Sequence, residues 1–373
     1  MGLSLINCIF GTMEYLFYGF LILLCWQLGG MLMLALRVWY PEYKSSKLPI
    51  TLVICSNGKR ASLFKLLVAI NQQYYSNFRV LVIADRWGED EIAQLEAIPL
   101  PTYQIEVLFI DEIPEGWDAK KYLIDRAISF SETEYLLFTD DDCLPESPYW
   151  INYMATEWEK GADIVVGYSP YFKREGILNL LYRFETYTLG LQFLTAGVQK
   201  LPYMALGRNM GYTKTFYYAV NGMDSINGYK GGDDDLLTNK GAKDAKWGFA
   251  LSPDALVFSE PVPSFKAWQN QKLRHFKAGT RYSNRQWYVG LLAFLEIIRL
   301  PIIVALCIWD WQPGIVAVLL RVLLYNGIQW WLARYWRLGF NLIQIVLADL
   351  VYPILYLYFG VLAYFNRTEK QPW

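Results

Sequence analysis

At 373 residues the chain can hold one large globular domain plus further elements, because single cores stop growing near roughly 250 to 300 residues. It is 54% apolar and 17% aromatic with only 18% charged residues, more apolar than a soluble surface needs, and its formal net charge of -1 gives no basic footprint for nucleic acid. The five cysteines, Cys8, Cys25, Cys55, Cys143 and Cys307, show no CxxC spacing and indicate neither a disulfide framework nor a zinc site.

In chain order, the first apolar run, Tyr15 to Leu36, carries no charge and ends in Arg37. That is about the 20 residues a helix needs to cross hydrocarbon. A signal peptide is the competing reading, but the leader has no basic n-region and no small-residue cleavage site follows Arg37 and Tyr40. Residues 1–40 therefore read as an N-terminal transmembrane anchor.

Between Leu48 and Pro263 the continuous apolar runs give way to short β-rich runs alternating with helical ones, the pattern of an α/β sheet. Ile50 to Cys55 reads as a strand, Leu63 to Gln72 as a helix, and Phe78 to Asp85 as a second strand ending in an acid. Ile105 to Ile110 and Tyr135 to Phe138 read as two more strands, separated by a helix over Trp117 to Phe130. Ligands of open α/β sheets bind outside the C-terminal strand ends, which singles out Asp85 and the run Asp140 to Asp142.

Three constellations carry candidate chemistry. The strand Tyr135 to Phe138 runs into Asp140-Asp141-Asp142, and adjacent like charges raise one another's pKa unless a cation offsets them. A hard divalent ion such as Mg²⁺ or Mn²⁺, shared with substrate phosphates, would offset them; a solvated acidic turn is the plain alternative. The second constellation, Gly231-Gly-Asp-Asp-Asp-Leu236, opens a helix over Leu236 to Lys240 and offers either a general base or a helix cap. The third, Trp268 to His275, places Gln271 and Arg274 just before an apolar run, where an arginine fork suits phosphate and simple positive-inside charge suits the membrane.

Three further apolar stretches follow, Val289 to Trp309, Gly314 to Ala333 and Leu342 to Phe365, each near membrane-spanning length. Lys272, Arg274, Lys277, Arg281 and Arg285 precede the first of them, while Arg37, Lys44 and Lys47 follow the N-terminal run, so both flanks of the central domain read as cytoplasmic. Arg334 and Arg337 agree with that orientation, whereas Arg367 and Lys370 fall on the other side. Glu296, Arg299, Arg321 and Asp349 lie inside the apolar stretches, either as interhelical pairs or along a substrate path. Trp309, Trp311, Trp330, Trp331 and Trp336 suit interfacial anchors.

A strand-end aspartate, a DxD, a later acid pair and a QxxR beside the membrane resemble the family 2 glycosyltransferases and their membrane-bound synthase relatives over roughly Leu48 to Arg281. Gly116-Trp-Asp-Ala-Lys-Lys-Tyr-Leu123 is similar to the family's GWxGKxxAL stretch, and Gly207-Arg-Asn-Met-Gly211, with Asn209, to its GxN segment. The resemblance implies a GT-A, Rossmann-like nucleotide-sugar domain over residues 48–285, flanked by the anchor and by about three helices over 289–365. It implies that Asp85 contacts base or ribose, that Lys120 or Lys121 lies near the nucleotide, and that Asp140 and Asp142, with Asp141 between them, hold Mg²⁺ or Mn²⁺ and the diphosphate. Asp233-Asp234 takes the place of the acid pair, with Asp234 as general base and Asp235 as a neighbouring register, and Gln271 and Arg274 match QxxRW.

Two departures stand out. Cys55-Ser-Asn-Gly-Lys59 lacks the family's opening Pro and Asn-Glu, and His275, the sole histidine, replaces the motif's Trp. The second favours a non-processive transferase over a processive polysaccharide synthase. The expected enzyme is an inverting hexosyltransferase taking a nucleotide-diphosphate sugar, a UDP-sugar first, to a lipid or envelope-glycan acceptor at the cytoplasmic face of a bacterial inner membrane. A catalytically silent membrane partner in a glycan assembly complex is the alternative from outside the enzyme class.

Overall fold

The computed structural model describes residues 2–39, 43–56, 60–88, 93 and 103–366. It begins with helix α1 (Gly2–Trp39), followed by β1 (Ile50–Ser56), α2 (Arg60–Asn71), β2 (Phe78–Asp85), β3 (Gln104–Ile110), α3 (Ala119–Phe130), β4 (Tyr135–Asp140), β5 (Cys143–Pro145) and α4 (Trp150–Glu159). Next come β6 (Ile164–Gly167), α5 (Ile177–Val198), β7 (Met210–Thr213), α6 (Lys214–Ala219), α7 (Asp235–Lys240), β8 (Trp247–Ala250) and β9 (Val257–Ser259). The chain closes with α8 (Phe265–Gly279), α9 (Gln286–Trp309), α10 (Trp311–Leu320), a π-helical turn Arg321–Asn326, α11 (Gly327–Tyr335) and α12 (Leu342–Phe365).

Seven strands form one mixed sheet in the order β3-β2-β1-β4-β7-β6-β8, while β5 and β9 pair antiparallel beside it. Strands β1 to β4 are parallel and β7 runs antiparallel to both neighbours. Because side chains alternate along a strand, Val53, Leu81, Ile83, Leu136 and Phe138 face one core while Leu52, Ile54, Val80, Val82 and Leu137 face the other. Burial on both faces explains why these strands read as continuous apolar runs. The second core is closed by α2 and α4; the first continues without a break into α5 and the terminal helices, taking in Leu34 and Val38 of α1, Leu332 of α11 and Ile345 and Ala348 of α12.

The expected elements shift only at their ends. Helix α3 starts at Ala119 instead of Trp117, because Gly116 has φ +86° and the Asp118 side chain caps the helix by accepting the Lys121 N–H. Helix α2 begins three residues earlier than the apolar pattern alone. The second C-terminal stretch extends from Trp311 to Tyr335 through the π turn. Asn57, Gly58, Lys59, Arg367 and Lys370 lie outside the described residues.

Among the described residues four helices are long and apolar enough to cross a membrane: Glu14–Trp39, Gln286–Trp309, Trp311–Tyr335 and Leu342–Phe365. Helix α5 does not join them, since Arg183 and Glu185 are buried within it, yet it packs on α1 and α12 and seats the sheet on them. The Tyr187 hydroxyl donates to the Gln329 carbonyl at 2.5 Å, and Trp336 Nε1 donates to the Leu251 carbonyl at 2.9 Å. Trp39 at the end of α1 stacks on Trp331 of α11 with centroids 5.7 Å apart.

The charges inside the apolar stretches pair between helices. Arg299 Nη1 and Arg321 Nη2 donate to Asp349 Oδ1 at 2.6 and 2.9 Å, and Arg321 Nε donates to Oδ2 at 3.0 Å. Arg321 also reaches Gln27 Oε1 at 3.1 Å, and Glu296 Oε2 lies 3.2 Å from Arg299 Nη2. Two cations and two anions therefore balance, Asp349 joining three of the long helices and Arg321 adding the fourth through Gln27. Replacing Asp349 by Ala strands two buried guanidinium groups and is expected to cost about 3–5 kcal/mol. The check is the thermal midpoint of the detergent-solubilised protein, and an unchanged midpoint would mean that water already compensates these charges.

Candidate active site

Register determines where the acids converge. Cys55 pairs with Asp140 and Asp85 with Ile110, so β1 to β4 end along one edge of the sheet. Beyond β4 the chain turns through Asp141 and Asp142 into β5. Asp141 is buried and its Oδ2 accepts the Ser56 hydroxyl at 2.7 Å, stapling the end of β1 to the turn. That inward contact leaves Asp140 and Asp142 half-buried on the outer side, with ligand-capable atoms of both and of Cys143 within 4.8 Å of one another.

Lys120, in the first turn of α3, connects this turn to the second acid run. Its Nζ lies 3.0 Å from Asp140 Oδ1 and 3.2 Å from Asp233 Oδ2. The loop is delivered by Gly231 and Gly232 at φ +65° and +85°; a Cβ on Gly232 would fall 2.3 Å from Leu236 Cδ1, so only glycine fits there. Asp118 holds the same loop from the other side, its Oδ2 accepting the Gly231 N–H at 3.2 Å. Helix capping and site assembly thus share one carboxylate.

Asp234 follows, its Oδ2 accepting the Gly207 N–H at 2.8 Å and its Oδ1 the Asp235 N–H at 2.7 Å. Burial raises its pKa, Asp233 adds to the rise, and Lys120 with the two backbone donors works against it. Asp235 points inward, accepting the Tyr282 hydroxyl at 2.9 Å and the Leu236 N–H at 2.8 Å. Burial, then the Asp234 charge, raise its carboxyl to about 8. At Lys120 burial opposes the charge, and Asp140, Asp233 and Asp234 together outweigh it and push the ammonium pKa up.

The other expected residues have varied placements. Asp85 is buried, with both oxygens held by its neighbour Arg86 at 2.8 and 3.0 Å. Lys121 points away from the cluster, donating to the Ile226 and Tyr229 carbonyls at 2.5 and 2.6 Å. Asn209 is fully buried; its amide donates to the Tyr168 and Ala255 carbonyls and accepts from Trp150 Nε1, so it braces the sheet edge instead of facing a ligand. Gln271 lies 3.0 Å from the Tyr171 hydroxyl. Arg274 and His275 are exposed on α8, and among the described residues no ion pair joins Arg274 to the acids.

One residue that motif reading passed over is Arg208, between Gly207 and Asn209. Its guanidinium lies over the Tyr171 ring at 4.7 Å, and its Nη1 is buried without a hydrogen-bond partner among the described residues. Burial opposes its charge, and Tyr171, Cys143, Asp140 and Asp142 outweigh that. The signal was present as an arginine inside the GxN segment, but nothing in the spacing distinguished it from surface charge.

The donor set fits a hard divalent ion. Burial, then Asp140 and Asp142, push the Cys143 thiol up and keep it protonated, leaving Asp140 and Asp142 as the oxygen ligands; such ions use one or two carboxylates plus substrate phosphates.

The family described as Glycosyltransferase like family 2 matches residues 48–278. No curated protein sequence matches the chain. Among solved structures, the mannosyltransferase PcManGT from Pyrobaculum calidifontis in complex with GDP-Man and Mn²⁺ is similar at 14% identity and TM-score 0.47, over 91% of this chain and 99% of that one. TarS 1-349 from S. aureus in complex with UDP-GlcNAc is similar at 11% identity and TM-score 0.43, over 83% of this chain and 92% of that one.

The raised Asp235 carboxyl sets a pH dependence. Its folded pKa exceeds its unfolded one, so the native state holds the extra proton and stability falls as pH rises from the ordinary carboxylate range to about 8. Asp235→Asn is expected to flatten that slope, measured as denaturation midpoints between about pH 5 and pH 9. An equal slope in both proteins would assign the titration elsewhere.

Proposed function

Because the chain belongs to the family 2 glycosyltransferases, matched over residues 48–278, we propose that it moves a sugar, with inversion, from a nucleoside diphosphate sugar to a lipid or envelope-glycan acceptor at the cytoplasmic membrane face. The observation that carries this reading is the Lys120 bridge, which sets Asp140 of the DxD and Asp233 of the acid loop on one ammonium.

In the proposed reaction the donor diphosphate lies over Asp140 and Asp142, the carboxylates that would hold Mg²⁺ or Mn²⁺. The ion, when bound, supplies charge neutralisation of the departing diphosphate. Lys120 and Arg208 add fixed positive charge at the same edge, and Arg274 of the QxxR segment is the further cation for the diphosphate. Asp234 takes the acceptor hydroxyl proton, its raised pKa making it a better base than a solvated carboxylate. The acceptor oxygen bonds to the anomeric carbon from the face opposite the leaving group, and the bond to the diphosphate breaks with its electron pair going to the nucleotide. An α-linked donor thus gives a β-linked product.

The acceptor assignment is supported by the seating of the sheet on four apolar helices, whose buried side chains share its core. The donor is identified with a panel of nucleotide sugars, UDP-sugars first, assayed with Mg²⁺, Mn²⁺ or EDTA. Turnover is expected to vanish with EDTA and to fall about a hundredfold to ten-thousandfold in Asp234→Asn. Full activity in EDTA, an active Asp234→Asn or a product of retained configuration would each overturn its part of this scheme.

A further inference from the structure

Away from the carboxylates, the segment before α5 and the first turn of α12 enclose a cleft of about 670 Å³ lined by Lys173, Arg174, Arg183, Gln344 and one acid, Glu175. Arg174 is neutralised by exposed Glu260, bound through both carboxylate oxygens at 2.8 and 3.0 Å. Arg183 is different. It is only 6% exposed, yet among the described residues no carboxylate pairs with it: Nη2 donates to the Leu338 carbonyl and the guanidinium lies over the Phe340 ring at 4.4 Å. Buried cations are almost always paired.

The second cation converges on the same point. A Cβ placed on Gly339 would lie 3.9 Å from Lys173 Nζ and 4.0 Å from Arg183 Nη2, so two positive charges sit within twice that distance of each other. They repel unless an anion lies between them. Ile177 and Leu180 give the lining an apolar side, Ile177 being 67% exposed, and Gln344 of the lining is flanked in sequence by Ile343, 71% exposed in the first turn of the fourth long helix. The cleft also adjoins the acidic turn, since Glu260, the partner of Arg174, donates its backbone N–H to the Asp142 carbonyl at 3.4 Å.

We propose that this cleft binds the phosphate of a membrane lipid, with Lys173 and Arg183 as its cationic ligands and the apolar chain lying over Ile177 and Ile343. That this lipid is the acceptor rests on the transferase reading above; its binding does not.

Phosphatidic acid is the probe. The full-length protein, purified in detergent and placed in phosphatidylcholine nanodiscs with a minority of phosphatidic acid, is expected to retain phosphatidic acid selectively. Lys173→Glu, at an exposed position, is expected to weaken that retention roughly tenfold or more, with Arg183→Lys in between. Nucleotide-sugar hydrolysis by Lys173→Glu should match the wild type. Equal retention by both proteins, or displacement of the lipid by inorganic phosphate as readily as by phosphatidic acid, overturns the proposal. A wild type that binds the lipid but hydrolyses no nucleotide sugar sinks the transferase reading alone.

Discussion

Carboxylates gathered at one edge repel, and the contact on which the arrangement depends is the Lys120 ammonium between Asp140 and Asp233. The first acid belongs to the end of a parallel strand and the second to a loop far along the chain, so a single positive charge joins the two halves of the site. Everything nearby serves to place it. Asp118 starts the helix that carries Lys120 and also anchors the Gly231 backbone, and the two glycines let the loop turn sharply enough to present Asp233. The ammonium is less strongly attracting than a divalent ion at the same oxygens, so it balances the acids without closing them to an incoming cation and diphosphate.

The same molecule treats its membrane-length helices as part of the core. Leu34, Val38, Leu332, Ala333, Ile345 and Ala348 belong to the cluster that also contains Val53, Leu81 and Leu136 of the sheet. The buried ion pair of Lys272 with Glu185, at 2.5 Å, fixes α8 against α5, and Trp268, fully buried against Tyr182 and Phe359, fixes it against α12. The strand-end edge consequently has a defined height and orientation relative to the apolar bundle.

Strands that are buried on both faces and long apolar helices announce themselves, which is why β1 to β4 and the four long helices were legible to within a few residues. Helix α5 was not: its 22 residues mix apolar side chains with Arg183, Glu185 and several threonines, because it faces a sheet on one side and helices on the other, leaving no single stripe. At the site, the acids were legible as clusters, but their orientation was not. Lys120 and Lys121 are adjacent and chemically identical, and only the helix phase sends one to Asp140 and the other to the Ile226 carbonyl. Asn209 sits in a recognisable segment yet commits its amide to the fold, while Arg208 beside it lies over Tyr171 and within electrostatic reach of Asp140 and Asp142. Long-range convergence of this kind leaves no local periodicity to read.

The Asp349 cluster has a consequence for how the protein is made. Synthesis proceeds from the N-terminus, so Arg299 and Arg321 emerge before the carboxylate that neutralises them, with only Glu296 at hand for the first. The Arg299 helix carries Glu296 as its own counter-charge, whereas Arg321 has no carboxylate partner until Asp349 is made. The helix of Asp349 therefore acts as a clasp: the ion cluster can close only after that carboxylate arrives, and a chain cut short before Asp349 would leave Arg321 without its carboxylate.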